Sequence, residues 1–271
     1  MNIRKRTAAL AVCAAAAVAA AALDVRLRTV TYMVTSSKVT APVRLAVLSD
    51  LHSCVYGQGQ RTLLSAVAEA EPDAVLLPGD IVDDDRPEEP AWTALEALAA
   101  AYPCFYVTGN HECWSGEPER ICRRMEELGV QVLRGERVSA ELNGQRLDFC
   151  GVDDPAAGRL AEDLELAGDA VEEEVFTVLL AHRPEKIRLY LNKPFDLVVS
   201  GHAHGGQWRI PGLLNGLLAP GQGLFPDYAG GCYDFGNAAL IVSRGLARES
   251  TRVPRLFNRP EVVLADILPE T

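Results

Sequence analysis

The chain has 271 residues, enough to bury a full hydrophobic core, and its 48% hydrophobic and 23% charged residues are ordinary for a globular protein. Its formal net charge of −11 argues against a surface that binds nucleic acid non-specifically. A phosphorylated substrate stays possible, because bound cations would reverse the local electric field.

The N-terminal segment differs in character from the rest of the chain. Cations at positions 4–6 precede an uncharged, alanine-rich run at 8–23. The run is long for a signal peptide and short for a membrane helix of about 20 residues. We expect residues 1–28 to form an uncleaved single-pass anchor, with the catalytic domain extracytoplasmic; the alternative is a cleaved signal and a secreted protein. Residues 29–42 are expected to form a tether or a first strand.

Three apolar, β-rich runs in the first half of the chain each end on a polar cluster. The runs at 43–49, 74–77 and 104–107 have the composition of strands buried on both faces. A segment with helical spacing follows each run. This repetition predicts a parallel sheet in an α/β domain, and such sheets bind ligands at the carboxyl ends of their strands.

The second half continues with shorter strands. Asn143-Gly144 is typical of a hairpin turn. Apolar runs at 175–181 and 195–200 again lead into polar residues. Because there is no internal repeat and no linker composition, residues 43–271 are predicted to form one catalytic domain.

All five histidines of the chain lie in polar, turn-like settings and not on the apolar stripe of a helix. A lone histidine is usually a satisfied core or surface residue, but five in one kind of context indicate a metal centre. Acidic and amide residues stand beside them in the blocks D-x-H, G-D-x-x-D, G-N-H-E, H and G-H-x-H. The polar residues of these blocks are Asp50, His52, Asp80, Asp83, Asn110, His111, Glu112, His182, His202 and His204.

The chemistry of this set favours a pair of ions. Carboxylate, imidazole and amide oxygen suit divalent or trivalent Mn, Fe, Zn or Co. The absence of cysteine from the blocks argues against a structural zinc site. There are more ligands than one ion needs, whereas two ions about 3.5–4 Å apart with a bridging carboxylate would use them all.

The five blocks, in this order, resemble the signature of the calcineurin-like metallophosphoesterase superfamily over residues 43–245. The resemblance implies a four-layer α/β/β/α sandwich and a binuclear centre that hydrolyses phosphoesters with a metal-bridging hydroxide. It further implies a role for each matching residue. Asp50, His52 and His204 would bind one metal, Asn110, His182 and His202 the other, and Asp80 would bridge them. His111 would contact the phosphoryl oxygen or protonate the leaving group, with Asp83 orienting it.

Further features resemble the bacterial YkuE-like branch of this superfamily, whose members are exported or membrane-associated phosphodiesterases. They are the extended GHAHGGQ block, the segment Ser243-Arg244-Gly245 and the N-terminal apolar run. We therefore expect a membrane-associated phosphodiesterase. The alternatives are a phosphomonoesterase or pyrophosphatase acting on soluble nucleotide or sugar phosphates, and a non-catalytic, membrane-tethered binding protein.

The segment at 208–228 is the candidate substrate rim. It is rich in glycine, proline and leucine and follows the last ligand block directly. Its apolar residues would admit a lipid-linked phosphoester near a bilayer; the alternative is a segment that packs into the core without contacting substrate. Glu112 and Ser49 are expected to support the site and not to bind metal.

Overall fold

The computed structural model describes residues 3–248 and 253–270, with side chains from residue 10 onward. The described residues form a mixed α/β fold that contains two six-stranded sheets. The strands are β1 (Arg28–Ser36), β2 (Val43–Val47), β3 (Ala74–Pro78), β4 (Cys104–Val107), β5 (Gln131–Val132), β6 (Arg137–Leu142), β7 (Gln145–Val152), β8 (Thr177–Ala181), β9 (Leu197–Ser200), β10 (Leu218–Ala219), β11 (Gly223–Leu224), β12 (Gly231–Asp234), β13 (Ala239–Val242) and β14 (Glu261–Pro269). The helices are α1 (Ile3–Ala22), α2 (Arg61–Ala70), α3 (Glu89–Ala101), α4 (Asn110–Trp114), α5 (Pro118–Glu127), α6 (Leu160–Asp169) and α7 (Ile187–Tyr190).

The first sheet has the strand order β1-β14-β2-β3-β4-β5. Its strands β2 to β5 run parallel, as the repeated strand–loop–helix pattern predicts. The long strand β14 pairs antiparallel with β2 and parallel with β1. The segment at 29–42, expected to be a tether or a first strand, contains most of β1, which forms the edge of this sheet.

The second sheet has the order β12-β13-β9-β8-β7-β6. Strands β7, β8, β9 and β13 run parallel, and β6 and β12 close the two edges in antiparallel orientation. Asn143 and Gly144 join β6 to β7, with φ angles of 48° and 78°. Positive φ at both central residues is the backbone of a tight hairpin turn, which confirms the sequence signal.

The two sheets pack face to face, and helices cover their outer faces. Phe105 of β4 and Phe149 of β7 stack at 4.0 Å between ring centroids within the inner core. Helices α2, α3 and α5 pack on the first sheet, and α6 and α7 pack on the second. Both sheets therefore bury both faces, and every residue of β3 and β8 is buried.

Helix α1 covers most of the N-terminal apolar run, and its residues 10–21 are exposed. Within the part of the chain that the structure describes, no helix is both long and apolar enough to cross a membrane. The predicted membrane anchor thus gains no support from the structure and stays a prediction.

Candidate metal centre

The predicted site residues lie just beyond the carboxyl ends of strands in both sheets. In the first sheet, β2, β3 and β4 are followed by Asp50, Asp80 and Asn110. In the second sheet, β8 is followed by His182 and β9 by the turn at 202–204. Because the sheets pack face to face, these ends meet in one place, and the residues converge.

Asp50, His52 and His204 form one group whose ligand atoms lie within 4.8 Å of one another. All three side chains are buried. The Oδ1 atom of Asp50 accepts a hydrogen bond from the backbone N–H of His202 at 2.9 Å and lies 3.8 Å from Nε2 of His204. These are the three residues predicted to bind the first metal.

Asp80, His182 and His202 form a second group with the same spacing. Nδ1 of His182 donates to the carbonyl of Pro78 at 2.7 Å, so in the neutral ring Nε2 carries a lone pair. This Nε2 lies 3.1 Å from Oδ2 of Asp80. The same oxygen lies 3.6 Å from Nε2 of His52, which belongs to the first group. Asp80 thus stands between the two groups, where a bridging ligand would be needed.

Each of the seven predicted metal ligands has a buried polar atom that lacks a hydrogen-bond partner in the described part of the chain. Such atoms are rare in folded proteins, since leaving one unsatisfied costs about 1–3 kcal/mol. Here they are all oxygen or imidazole nitrogen, the donors that Mn, Fe, Zn and Co accept. The residues therefore fit a pair of metal ions. The atoms are Oδ2 of Asp50, Nε2 of His52, Oδ2 of Asp80, Oδ1 of Asn110, Nε2 of His182, Nε2 of His202 and Nδ1 of His204.

Two neighbouring histidines have pKa values shifted in opposite directions. Burial lowers the pKa of His182, but the carboxylates of Asp80 and Asp50 outweigh it and raise the pKa to about 10. Burial, together with the positive charges of His182 and Arg183, lowers the pKa of His202 to about 2. In the metal-free protein at neutral pH, His182 therefore holds a proton that it must release before it can bind a cation.

The backbone at the centre is strained. Five of the seven predicted ligands have φ angles between 46° and 64°, the left-handed region that side chains other than glycine rarely adopt. Each such residue costs of order 1–3 kcal/mol, and strain of this kind concentrates at functional sites. Local propensity does not predict these conformations. The five residues are Asp50, His52, Asp80, His202 and His204.

His111 has a different partner from the predicted one. Its Nδ1 lies 2.6 Å from Oδ1 of Asp84 and 3.8 Å from Oδ2 of Asp83. Asp83 is instead hydrogen-bonded to Nδ1 of His52, at 2.9 Å. The orienting role of Asp83 stays a prediction, and the 2.6 Å contact makes Asp84 the stronger candidate, because His52 lies closer to Asp83 and takes its carboxylate. His111 is 26% exposed and stands 5.2 Å, between ring centroids, from the exposed Trp114.

Glu112 organises the backbone of the loop that carries Asp80. Its Oε2 accepts from the N–H groups of Gly109 at 2.8 Å and Asp80 at 3.0 Å. Its Oε1 accepts from those of Ile81 at 2.7 Å and Val82 at 3.0 Å. The expectation that Glu112 supports the site and does not bind metal agrees with these contacts.

Two residues beside the centre carry no signal in the sequence blocks. Buried Asn258 donates from Nδ2 to the carbonyl of His204 at 2.7 Å. Buried Arg255 lies near Asp50, and its charge adds to burial in lowering the pKa of His204. Both lie some fifty residues beyond the last histidine, so only the folded chain brings them to the site.

The sequence model of the Calcineurin-like phosphoesterase family matches residues 43–206, more than half of the chain. The chain belongs to this family. Calcineurin-like phosphoesterases use a binuclear metal centre, and the clusters around Asp50 and Asp80 are its candidate ligands here. Membership makes the protein a phosphoester hydrolase.

Two bacterial relatives match this chain over most of its length. The uncharacterized metallophosphoesterase YkuE of Bacillus subtilis (strain 168) is 26% identical over 228 residues, which cover 82% of this chain and 77% of the relative. The phosphodiesterase YaeI of Escherichia coli (strain K12) is 29% identical over 236 residues, covering 84% and 83%. These matches confirm the YkuE-like branch.

A solved structure shares the fold. The phosphopantetheinyl hydrolase PptH of Mycobacterium tuberculosis superposes with a TM-score of 0.50 at 14% identity, covering 86% of this chain and 98% of that one. At this identity the likeness concerns the fold alone.

Proposed function

We propose that the protein is a phosphodiesterase whose seven predicted ligands hold the two metal ions of the family. The observation that carries this proposal is the set of seven buried, unpartnered donor atoms at the facing strand ends. Preference for a diester is supported by the relative named phosphodiesterase YaeI, which matches most of the chain.

Metal ions held by the seven predicted ligands would supply Lewis acidity and would activate a water for attack on phosphorus near neutral pH. The chain's own residues supply the rest of the chemistry. His111, in its imidazolium form, donates the Nε2 proton to the leaving alkoxide as the bond between phosphorus and that oxygen breaks, and becomes the neutral imidazole. Asp84 accepts the Nδ1 hydrogen and so leaves Nε2 for the substrate.

The test compares bis-(p-nitrophenyl) phosphate with the corresponding monoester, using wild type and His111→Ala. We expect a higher kcat/KM for the diester of this pair. On a dialkyl phosphodiester, whose alkoxide leaving group needs a proton, the variant should lose about 10²–10⁴-fold in kcat with its metal content unchanged. A preference for the monoester would favour the phosphomonoesterase or pyrophosphatase alternative. Metal-loaded wild type that turns over neither ester would favour a binding protein, and unchanged turnover in the variant would refute the role of His111.

We further propose that the enzyme acts at the outer face of a cytoplasmic membrane on a lipid-linked phosphoester. The cationic and then apolar N-terminal run supports the location. Leu213, Leu224 and Phe225 of the candidate rim are 81%, 65% and 66% exposed, which favours the substrate rim over the core-packed alternative. Cell fractionation, with protease added to intact spheroplasts, tests the location: cleavage only after lysis contradicts it.

The rate of hydrolysis tests the substrate class. If a lipid-linked phosphodiester is hydrolysed no faster than its deacylated form, the proposal of a lipid-linked substrate is contradicted.

A further inference from the structure

A cavity of about 480 Å³ lies outside the metal centre, and three arginines line it. We call it the arginine pocket. Its cations come from distant parts of the chain: Arg28 from β1, Arg209 from the segment after the last histidine, and Arg244 from the loop just beyond β13. Apolar side chains, among them Ile210 and Leu213, complete the wall. None of its lining residues is a predicted metal ligand.

Positive charge in the arginine pocket exceeds negative charge. Buried Glu261 contacts Nη2 of Arg28 at 2.6 Å and Nε of Arg244 at 3.6 Å. Arg209 forms no ion pair with any residue that the structure describes; its Nη1 donates to the carbonyl of Gly205 at 3.1 Å and its Nη2 donates to Oδ1 of Asn215. Three guanidinium groups therefore share one carboxylate, which leaves two positive charges uncompensated.

The arginine pocket also contains N–H donors without acceptors. Nε of Arg28 and Nε of Arg244 are buried and lack a hydrogen-bond partner in the described ranges. Burial, followed by the charges of Arg244 and Arg28, lowers the pKa of Arg209 to about 10. A bound anion would relieve the repulsion among the three cations.

We propose that the arginine pocket binds a phosphate group. The guanidinium fork matches the oxygen geometry of phosphate, and two uncompensated charges match its anionic charge. Exposed Ile210 and Leu213 provide an apolar edge on which the chains of a phospholipid would rest if the phosphate is a lipid headgroup. Inorganic phosphate would bind the same arginines without using that edge. The inference does not depend on which ester the metal centre hydrolyses.

Two variants test the arginine pocket. Arg209→Gln removes the cation that has no carboxylate partner. Leu213→Glu puts a negative charge at the edge of the pocket, at a position 81% exposed, where folding is unaffected. Arg188→Gln is the matched control, because Arg188 is an exposed arginine of α7 outside the pocket.

Calorimetric titration of the metal-loaded protein with inorganic phosphate counts the sites. Arg188→Gln should bind phosphate as wild type does, and Arg209→Gln and Leu213→Glu should bind one phosphate fewer or lose at least ten-fold in affinity at one site. Phosphate stoichiometry and affinity that are equal in all four proteins would overturn the proposal.

Titration with a water-soluble, short-chain phosphatidylglycerol distinguishes the two sources. Binding at least ten-fold tighter than that of inorganic phosphate, and lost in Arg209→Gln, identifies a lipid headgroup as the occupant. Equal or weaker binding of the lipid, with phosphate binding still lost in Arg209→Gln, identifies a free phosphate. If Arg209→Gln binds the lipid as tightly as wild type does, the arginine pocket is not the site where the lipid binds.

Discussion

The carboxylate of Asp84 lies 2.6 Å from Nδ1 of His111, while its neighbour Asp83 is bonded to Nδ1 of His52. Two adjacent acids thus serve two different histidines. One histidine is the predicted proton donor and the other a predicted metal ligand. Substitutions at the two positions should therefore have separable effects on turnover and on metal binding.

Asp84→Asn should lower kcat by about ten- to a hundred-fold and leave metal content unchanged, because an amide does not hold the Nδ1 hydrogen as a carboxylate does. Asp85→Asn is the control, since Asp85 is exposed and adjacent. Equal losses in the two variants would contradict a specific role for Asp84.

Asp83→Asn should weaken metal binding by about 10–100-fold, the usual effect of removing a hydrogen-bond partner of a ligating histidine. At saturating metal its kcat should stay closer to that of wild type than the kcat of Asp84→Asn. Adding metal to the metal-free variant while measuring its activity gives both the metal affinity and the kcat at saturating metal. If Asp83→Asn binds metal normally but turns over slowly, the original prediction that Asp83 orients His111 regains support.

Metal affinity should rise with pH. The pKa of His182 is raised to about 10, so below that value a proton must leave when a cation binds. From this group alone, affinity should increase about ten-fold per pH unit between pH 7 and pH 9. Calorimetry in buffers of different ionisation enthalpy measures the released proton, and an affinity independent of pH between pH 7 and pH 9 would contradict the raised pKa of His182.

Stability of the metal-free protein should fall with pH over the same window. A histidine whose folded pKa exceeds its unfolded value of 6.5 stabilises the fold below pH 6.5, and this contribution disappears as pH rises toward 10. The melting temperature of chelator-treated protein should therefore drop between pH 7 and pH 9 more than that of metal-loaded protein. A melting temperature that falls equally with pH in the two forms would contradict this contribution of His182.

Glu112→Ala should destabilise the protein by about 3–5 kcal/mol, because it leaves four buried N–H groups without their acceptor. Urea unfolding of the metal-free protein measures the free energy of unfolding. Glu127→Ala, at an exposed position of α5, should change it by less than about 0.5 kcal/mol. A loss below about 1 kcal/mol at Glu112 would mean that water replaces its bonds.

Much of the fold was predictable because its signals are local. The apolar runs at 74–77 and 104–107 match β3 and β4, since strands buried on both faces need apolar residues throughout. The order of the five polar blocks, each after a strand, was enough to indicate a two-metal phosphoesterase.

The sequence by itself determined that the seven predicted ligands approach one another, because strand ends in parallel sheets meet at one edge. Only the tertiary structure decided which acid serves which histidine, since Asp83 and Asp84 are neighbours in the chain and the path of their loop separates them. It likewise brings Arg28, Arg209 and Arg244 together to line the arginine pocket. Contacts between distant residues depend on how whole layers pack, and no short pattern in the chain records that.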